Sequence, residues 1–435
     1  MMRLLDLRGQ QLSRSELLKV LPRHGSDVVS AQAAAQRLVD DVRHRGLSAV
    51  TDHALEFDGI SGHDVRVTQS ELTQALNSLD VAVRDALEST IDRVQHASRA
   101  QIPQGSVTSF GEGASISQRW LPVERVGLYV PGGKAVYPSS VIMNAVPAIA
   151  AGVRSIALAS PPQKAYDGRV HPTILAAAAL LGLEEVYAMG GATAIGAFAY
   201  GVPEIDFAPV NVITGPGNQF VAAAKRYVRS VVGIDSEAGP TEILVIADES
   251  ADARFVAADL ISQAEHDELA SSVLVTTSPT LVDDVSRAIV DLTAATTHRE
   301  RVEAALRGSQ SALVIVDDLS RAVDFSNAYA PEHLEVQVRD PQSLLPNLVN
   351  AGAIFVGEYS PVSLGDYSAG SNHVLPTGGH AAFSSGLGAY TFLRAQQVVE
   401  YGRAALSEVA VSLVALATSE DLPAHGSAVT IRFEE

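Results

Sequence analysis

The fold is decided by two short apolar runs, Val126-Gly127-Leu128-Tyr129-Val130 and Ser155-Ile156-Ala157-Leu158-Ala159. From Arg125 onward, such runs alternate with alanine-rich segments of helical composition. This β-α-β-α order predicts a parallel sheet with right-handed crossovers. The expected strands are 126–130, 155–159, 185–189 and 210–213, and the expected helices are 172–181, 193–200 and 218–232.

The same alternation begins again at Ile243. Strands are expected at 243–247, 272–276, 313–316, 335–338 and 354–356, with helices at 252–267, 281–295, 319–329 and 344–350. We therefore predict an α/β protein of two Rossmann-like, doubly wound parallel-sheet domains with a short N-terminal arm and a helical C-terminal tail. The arm is placed at 1–25, the first domain at 26–125 and 238–380, the second at 126–237 and the tail at 381–435. Residues 30–100 have a helical pattern, and 103–118 have the composition of a polar, glycine-rich connector.

Composition and charge exclude several classes of function. The 435 residues carry a formal net charge of −19 and no long basic block, whereas nucleic-acid binding needs clustered Lys and Arg. The absence of cysteine excludes disulfides, iron–sulfur clusters, thiolate zinc sites and a cysteine nucleophile. No apolar run approaches the roughly 20 residues of a membrane helix, and the N-terminus lacks an apolar signal core. We expect a cytoplasmic protein without nucleic-acid or membrane partners.

Glycine-rich turns follow several of the expected strands. The segment Gly127–Lys134 resembles a phosphate loop, but its spacing is wrong and Ala135 stands where Ser or Thr is required, so we reject that interpretation. Turns at Pro131-Gly132-Gly133, Gly190-Gly191 and Gly215-Pro216-Gly217-Asn218 remain. They could hold an anion at helix N-termini, or they could be ordinary strand-to-helix turns.

A second group of polar residues offers nitrogen and oxygen metal ligands. Gln263 and His266 are three apart and share one side of an expected helix. Asp366, in a polar, glycine-rich stretch, and His425 could complete a zinc site that lacks thiolates. Alternatively, His266 is a helix-end histidine that faces the C-terminal dipole.

The dipeptide Glu332-His333 pairs a carboxylate with an imidazole after Pro331. A carboxylate can activate water and an imidazole can shuttle a proton. Adjacent side chains can serve one site only on an irregular backbone, which Pro331 favours. The alternative is a solvated helix cap.

Eight segments together are similar to the histidinol dehydrogenase family, in the same order and at similar spacing from about residue 30 to the C-terminus. These segments are VGLYVPGG (126–133), GGATAIGAFAYG (190–201), TGPGNQFV (214–221), EAGPTEILVIAD (237–248), DLISQAEHD (259–267), PEHLE (331–335), GDYSAGSNHVLPT (365–377) and LPAHGSAVT (422–430).

The resemblance implies an NAD-dependent enzyme that oxidises L-histidinol to L-histidine through bound L-histidinal, in the last steps of histidine biosynthesis. It implies one zinc ion per subunit, which positions the substrate more than it performs redox chemistry. It also implies an intertwined homodimer, in which Glu420 and His425 reach the partner's active site. The implied zinc ligands are Gln263, His266, Asp366 and His425.

The resemblance also assigns roles to single residues. His333 is expected to take the alcohol proton and Glu332 to activate water. Expected substrate contacts are Thr241, Gln263, His266, His333, Asp366, Glu420 and His425, and expected NAD contacts are Tyr129, Thr193 and Asn218. Two positions depart from the usual pattern: Thr193 stands where the family has Gln and cannot present an amide, and Thr241 stands where many members have Ser.

One point follows from the residues without the family. Aldehyde oxidation commonly proceeds through a cysteine adduct, and this chain has no cysteine. A route by water attack with a carboxylate base is then required, and Glu332 is of the suitable type.

Three other functions are compatible with parts of the pattern. A related zinc- and NAD-dependent dehydrogenase could act on another polar alcohol, such as a sulfonated diol, although Glu420 and His425 suit an imidazole-bearing amine. A zinc hydrolase would use zinc and Glu332 without NAD. A catalytically inactive binding protein would not need all four ligands and the Glu-His pair.

Overall fold

The computed structural model describes residues 2–23, 28–132, 136–237 and 239–434. Gly133-Lys134-Ala135, part of the segment rejected as a phosphate loop, lies outside the described residues. The chain forms two compact units. The first contains the residues up to Gln101 and Glu124–Phe392, and the second contains Ile102–Val123 and the chain from Leu393 onward.

The strands follow the predicted order closely. They are β1 (Arg3–Asp6), β2 (Ser106–Gly111), β3 (Ala114–Pro122), β4 (Arg125–Tyr129), β5 (Ser155–Ser160), β6 (Glu185–Ala188), β7 (Val212–Thr214), β8 (Gly233–Ile234), β9 (Glu242–Ala247), β10 (Ser271–Thr276), β11 (Ala312–Ile315), β12 (His333–Gln337), β13 (Ala353–Val356) and β14 (Leu393–Tyr401).

The α-helices complete the alternation. They are α1 (Arg14–Val20), α2 (Val28–Arg45), α3 (Leu47–His53), α4 (Gln69–Asn77), α5 (Val81–Ala100), α6 (Pro138–Ala151), α7 (Pro172–Leu180), α8 (Gly191–Tyr200), α9 (Gln219–Val228), α10 (Ala253–Ala264), α11 (Pro279–Ala295), α12 (Arg299–Arg307), α13 (Leu319–Tyr329), α14 (Val362–Tyr367), α15 (Arg403–Ser419) and α16 (Pro423–Thr430). The helix expected at 344–350 is instead two 3-10 turns, Pro341–Ser343 and Leu345–Asn347, since Pro346 removes a backbone donor from the middle of that segment.

The first parallel sheet has six strands in the order β1-β11-β10-β9-β12-β13. Its central strands β9, β10 and β12 are buried at every position, as expected when helices cover both faces. The expected N-terminal arm is part of this sheet, because β1 pairs in parallel with β11 from Arg3 to Asp6. This pairing satisfies an edge that would otherwise expose unpaired backbone groups.

The second parallel sheet has five strands in the order β6-β5-β4-β7-β8. The strand order reverses beside β4, so a crevice is expected between the carboxyl ends of β4 and β7. The two parallel sheets confirm the predicted fold class.

Helix α2 packs on the second sheet, against α8 and α9. The sequence assigned residues 26–125 to the first domain, and this packing differs from that assignment. The apolar stripe of α2, with Ala31, Ala35, Val39 and Val42 buried, shows that the helix needs a partner but does not encode which one.

The second unit contains an antiparallel sheet in the order β14-β3-β2, together with α15 and α16. The connector expected at 103–118 is therefore largely the β2–β3 hairpin, which turns at Gly113 with φ +74°. The C-terminal tail is not only helical, because β14 pairs with β3 along its whole length. This pairing joins residues far apart in sequence, and local composition carries no signal for it. In the described part of the chain, no helix is long and apolar enough to cross a membrane.

Candidate active site

The polar residues of the first sheet meet at the amino ends of its strands. Thr241 directly precedes β9, Glu332 directly precedes β12, and His333 is the first residue of β12. Helix α10 returns to the same end, where it carries Gln263. The backbone before Glu332 is irregular, with Ala330 at φ +49°, so two adjacent side chains can serve one site.

The Glu332 carboxylate is buried and held by two donors. Its Oε2 accepts a hydrogen bond from the Thr241 hydroxyl at 2.5 Å and one from the Glu242 backbone N–H at 2.9 Å. Burial raises the pKa of Glu332 to about 7, although both hydrogen bonds and the nearby His266 act to lower it. A carboxylate with a pKa near neutrality is suited to general-base catalysis at physiological pH.

The His333 ring is oriented by a backbone carbonyl. Its Nδ1 lies 3.0 Å from the Glu242 carbonyl oxygen, which can only accept, so Nδ1 carries the proton. The lone pair of the neutral ring is then on Nε2. Burial lowers the pKa of His333, which favours this neutral form. Glu332 Oε2 lies 3.5 Å from His333 Nδ1, so a carboxylate and an imidazole base stand side by side.

Gln263 joins this pair through Thr241. Its Nε2 donates to the Thr241 hydroxyl oxygen at 2.6 Å. Its Oε1 is buried and has no hydrogen-bond partner, an arrangement that is costly unless another group completes it. A helix was expected over 252–267, but α10 ends at Ala264, so His266 lies just beyond the helix, in a turn where its N–H donates to the Gln263 carbonyl at 3.2 Å.

Asp366 reaches the same region from α14. Its charge acts on the pKa of both Glu332 and His333. Its backbone carbonyl lies 3.0 Å from His373 Nδ1, and His373 Nε2 lies 3.1 Å from the Ser140 hydroxyl of α6. His373 is a site residue that sequence reasoning missed, although it lies in the polar stretch that contains Asp366. Its ring connects α14, which carries Asp366, to α6.

Gln263, His266 and Asp366 fit a zinc ion. Within 2–23, 28–132, 136–237 and 239–434 there is no group of three His, Cys, Asp or Glu residues placed to hold a metal. The three candidates supply an amide oxygen, an imidazole and a carboxylate. Zinc usually has four ligands, so this set of three needs a further ligand. The unpartnered Oε1 of Gln263 is the observation that fits, since a metal would satisfy it.

Glu420 and His425 belong to the second unit. Glu420 caps the C-terminus of α15, His425 lies in α16, and both are exposed. The structure describes their unit by itself, and their assignment to the zinc and substrate sites stays a prediction.

The expected NAD contacts all lie in the second sheet domain. Tyr129 ends β4, Thr193 is in the first turn of α8, and Asn218 caps α9 after β7. The Tyr129 hydroxyl accepts from the Gly191 N–H at 3.0 Å. The side-chain Oδ1 of Asn218 accepts from the backbone N–H groups of Phe220 and Val221 at 3.0 and 3.2 Å. These hydrogen bonds shape the turns themselves.

Thr193 has a hydrogen-bond partner within the protein. The residue is buried, and its hydroxyl lies 2.8 Å from Nδ1 of His53, whose Nε2 lies 3.1 Å from Asp41. Sequence reasoning missed His53 and Asp41. Gly191, at φ +60°, has no atom within 4 Å of the position where a Cβ would stand. Open space beside bare backbone at the start of α8 fits the close approach of a dinucleotide.

Comparison with known proteins identifies the family. The family model described as histidinol dehydrogenase matches residues 21–433. A histidinol dehydrogenase of Leifsonia xyli subsp. xyli is 62% identical over 434 residues and is covered in full, as is this chain. That of Mycobacterium tuberculosis strain H37Rv is 55% identical, over 99% of this chain and 98% of the relative. The crystal structure of histidinol dehydrogenase from Elizabethkingia anophelis matches with a TM-score of 0.93 and 30% identity, over 99% of this chain and 98% of that one. The chain therefore belongs to the histidinol dehydrogenase family.

Proposed function

We propose that this oxidoreductase of histidine biosynthesis catalyses the NAD- and zinc-dependent, four-electron oxidation of L-histidinol to L-histidine through L-histidinal. The observation that carries the proposal is the buried Glu332-His333 pair beside the unpartnered amide oxygen of Gln263. The pair supplies one base for an alcohol and one for water. Glu332 is held by the Thr241 hydroxyl and the Glu242 N–H, and His333 is held by the Glu242 carbonyl.

In the first oxidation, His333 acts as the base. Its Nε2 takes the proton of the substrate hydroxyl while the carbinol carbon loses hydride to the first NAD⁺, which leaves the aldehyde. In the second oxidation, Glu332 takes a proton from water as its oxygen adds to the aldehyde carbon. The resulting hydrate loses hydride to a second NAD⁺ and a proton, which leaves the carboxylate.

We assign the zinc ligands to Gln263, His266 and Asp366, with His425 supplied by the second protomer of a homodimer. These residues would hold a zinc ion there, and the ion would supply binding positions for the imidazole and amino groups of the substrate. Thr241 and Glu420 are assigned to substrate contacts. Tyr129, Thr193 and Asn218 are assigned to the NAD site, with Thr193 acting through its hydrogen bond to His53.

The homodimer is supported by the second unit, whose helix α15 buries only Ala405 and Ala417. Apolar side chains on that unit are left exposed, including Val411 at 83% and Leu416 at 64%. Such surface is typical of a segment that packs against another chain. We also place the enzyme in the cytoplasm, the compartment expected from its sequence.

The test is the amount of NADH formed per molecule of L-histidinol consumed by zinc-loaded protein. We expect two NADH, with L-histidine as product. One NADH with accumulated aldehyde would refute the four-electron reaction. No NADH from histidinol but NADH from another small polar alcohol would assign the chain to a related dehydrogenase. Zinc-dependent hydrolysis of a substrate in the absence of NAD would instead show that the protein is a zinc hydrolase.

A further inference from the structure

A buried polar cluster lies one layer behind the candidate active site. Glu335 and Gln337 follow His333 on β12 at alternate positions, so the three side chains point to the same face of the strand. Asp259 stands on α10, one turn before Gln263 and on the same side of the helix. The cluster of Asp259, Glu335 and Gln337 therefore faces the same way as the residues of the site.

Hydrogen bonds connect the cluster to three elements. Gln337 Nε2 donates to Glu335 Oε2 at 3.0 Å and to Asp259 Oδ2 at 3.1 Å. The other carboxyl oxygen of Glu335, Oε1, accepts a hydrogen bond at 2.9 Å from the N–H of Val362, which is the first residue of α14. Helix α10, strand β12 and helix α14 meet at this one carboxyl group.

In the described part of the chain, the two carboxyl groups face each other, and no cation is among the groups that act on their pKa values. Glu335 is 1% exposed, and the groups that face it are Asp259 from α10, Gln337 from its own strand and the Val362 N–H from α14. The groups that face Asp259 are Glu335 and Gln337. Burial raises the pKa of both carboxyls, and the Asp259 charge raises that of Glu335 further. Two carboxyl groups in such contact do not both ionise. No positive charge among the described residues that face them offsets the repulsion between two carboxylates or the cost of removing their charges from water.

We propose that Asp259 and Glu335 share one proton and act as positioning residues, which hold α10, β12 and α14 in the register that assembles the active site. Those three elements carry the candidate site residues Gln263, Glu332-His333 and Asp366. The assignment of that site rests on the proposed function, whereas the shared proton does not. The cluster touches neither substrate nor cofactor in this role, and it acts through the residues that do.

Glu335→Ala removes the central group of the cluster. The Val362 N–H loses its acceptor, and Asp259 is left facing an empty position. Because displacements of about 1 Å can cost about 100-fold in rate, we expect kcat to fall at least about ten-fold with a smaller change in KM. We also expect faster loss of zinc to a chelator, since Gln263 and Asp366 are on elements released by the change.

Glu335→Gln is the conservative partner of that variant. Its amide is permanently neutral and has a similar shape. It keeps an acceptor for Val362 and a hydrogen toward Asp259, and it loses only the acceptor that Glu335 Oε2 offers to Gln337. We expect kcat and zinc retention within about three-fold of the wild type near pH 7. Val336→Ala is the control for general destabilisation, because Val336 is fully buried in the apolar cluster on the opposite face of the strand. It should lower the melting temperature without changing kcat or zinc release at temperatures well below unfolding.

The shared proton is tested by the melting temperatures of the wild type and of Glu335→Gln, measured as a function of pH without substrate. A carboxyl whose pKa is raised on folding contributes fully at low pH, and that contribution is lost as pH rises through the folded pKa. The melting temperature of the wild type should therefore fall relative to that of Glu335→Gln as the pH rises above the ordinary range of a carboxyl pKa, which is about 4. A constant difference between the two would overturn the shared proton.

The activity and zinc measurements test the positioning role separately. Full kcat and unchanged zinc release in Glu335→Ala, or the same losses in Val336→Ala, would overturn it. If the wild type does not oxidise histidinol, the proposed function fails, while the pH dependence of melting and the rate of zinc release still decide the inference.

Discussion

At the scale of single residues, the Thr241 hydroxyl joins the two halves of the candidate site. It donates to Glu332 and accepts from Gln263, at 2.5 and 2.6 Å. A hydroxyl can do both at once because it has one proton and two lone pairs. The carboxylate that is proposed to activate water and the amide that is assigned to zinc are thus fixed relative to each other by one oxygen atom.

Thr241→Val removes that oxygen with little change in shape. The Gln263 amide and the Glu332 carboxyl each lose a buried partner, so we expect the free energy of unfolding to fall by about 1–3 kcal/mol. Zinc affinity should fall as well. Urea unfolding and competition with a zinc chelator measure the two effects. Thr241→Ser keeps the hydroxyl and serves as the matched control, and equal losses in both variants would show that the methyl group matters instead.

Glu332→Gln separates the two oxidations. The amide cannot take a proton from water, so aldehyde oxidation should slow by about 100-fold or more, whereas the alcohol step depends on His333. Single-turnover rates measured from histidinol and from histidinal report the two steps. Equal losses in both would mean that Glu332 does not have the assigned role.

At the scale of elements, the turn between β7 and α9 is fixed by a buried ion pair. Lys225 of α9 contacts the Asp235 carboxylate and donates to the Gly215 carbonyl at 3.0 Å, and Asp235 accepts from the Gly215 N–H at 2.8 Å. Gly215 has φ +116°, and a Cβ there would overlap the Tyr129 carbonyl oxygen. The pair therefore holds two loops of the expected NAD crevice in close backbone contact.

Lys225→Met leaves Asp235 as an uncompensated buried charge. We expect the free energy of unfolding to fall by about 3–5 kcal/mol, because a buried charge that loses its partner is strongly destabilising. The neighbouring Arg226→Ala is the control: Arg226 is half-exposed, and its pairing with Glu237 should contribute about 0–1 kcal/mol. Chemical denaturation of both variants gives the comparison, and similar small losses would contradict the structural role of Lys225.

At the scale of the whole molecule, the assigned zinc site is incomplete in one unit. Gln263, His266 and Asp366 belong to the first unit, whereas His425 belongs to the second. The proposed exchange between protomers makes each site depend on two chains. Each site would then combine His333 of one protomer with His425 of the other. Single variants at these two positions therefore damage contributions from different protomers.

His333→Ala and His425→Ala should each nearly abolish turnover as homodimers, and His425→Ala should also lower zinc content. Refolding an equal mixture should restore about a quarter of wild-type activity, since half of the dimers are mixed and each mixed dimer has one intact site. The activity of the refolded mixture measures this recovery, and mixed dimers isolated by two different tags should have about half of wild-type activity. No recovery would refute the exchange, and full activity of His425→Ala with full zinc would refute its ligand role.

The sequence by itself determined the two runs of alternating strands and helices. Buried parallel strands such as Ile243–Ala247 are continuous apolar runs, and this pattern is local. It also identified Gln263 and Asp366 as candidate metal ligands and Glu332-His333 as a candidate acid–base pair, with motifs that indicate the family. The helix expected at 344–350 was wrong because the effect of Pro346 was not taken into account.

Only the tertiary structure decided which residues meet across the chain. The pairing of Thr193 with His53, the addition of β1 to the first sheet and the meeting of Asp259 with Glu335 join residues separated by many positions. No periodicity or spacing encodes such contacts, because they depend on how helices and strands pack in three dimensions. The sequence named the chemical groups of the site, and the packing of α10, β12 and α14 placed them together.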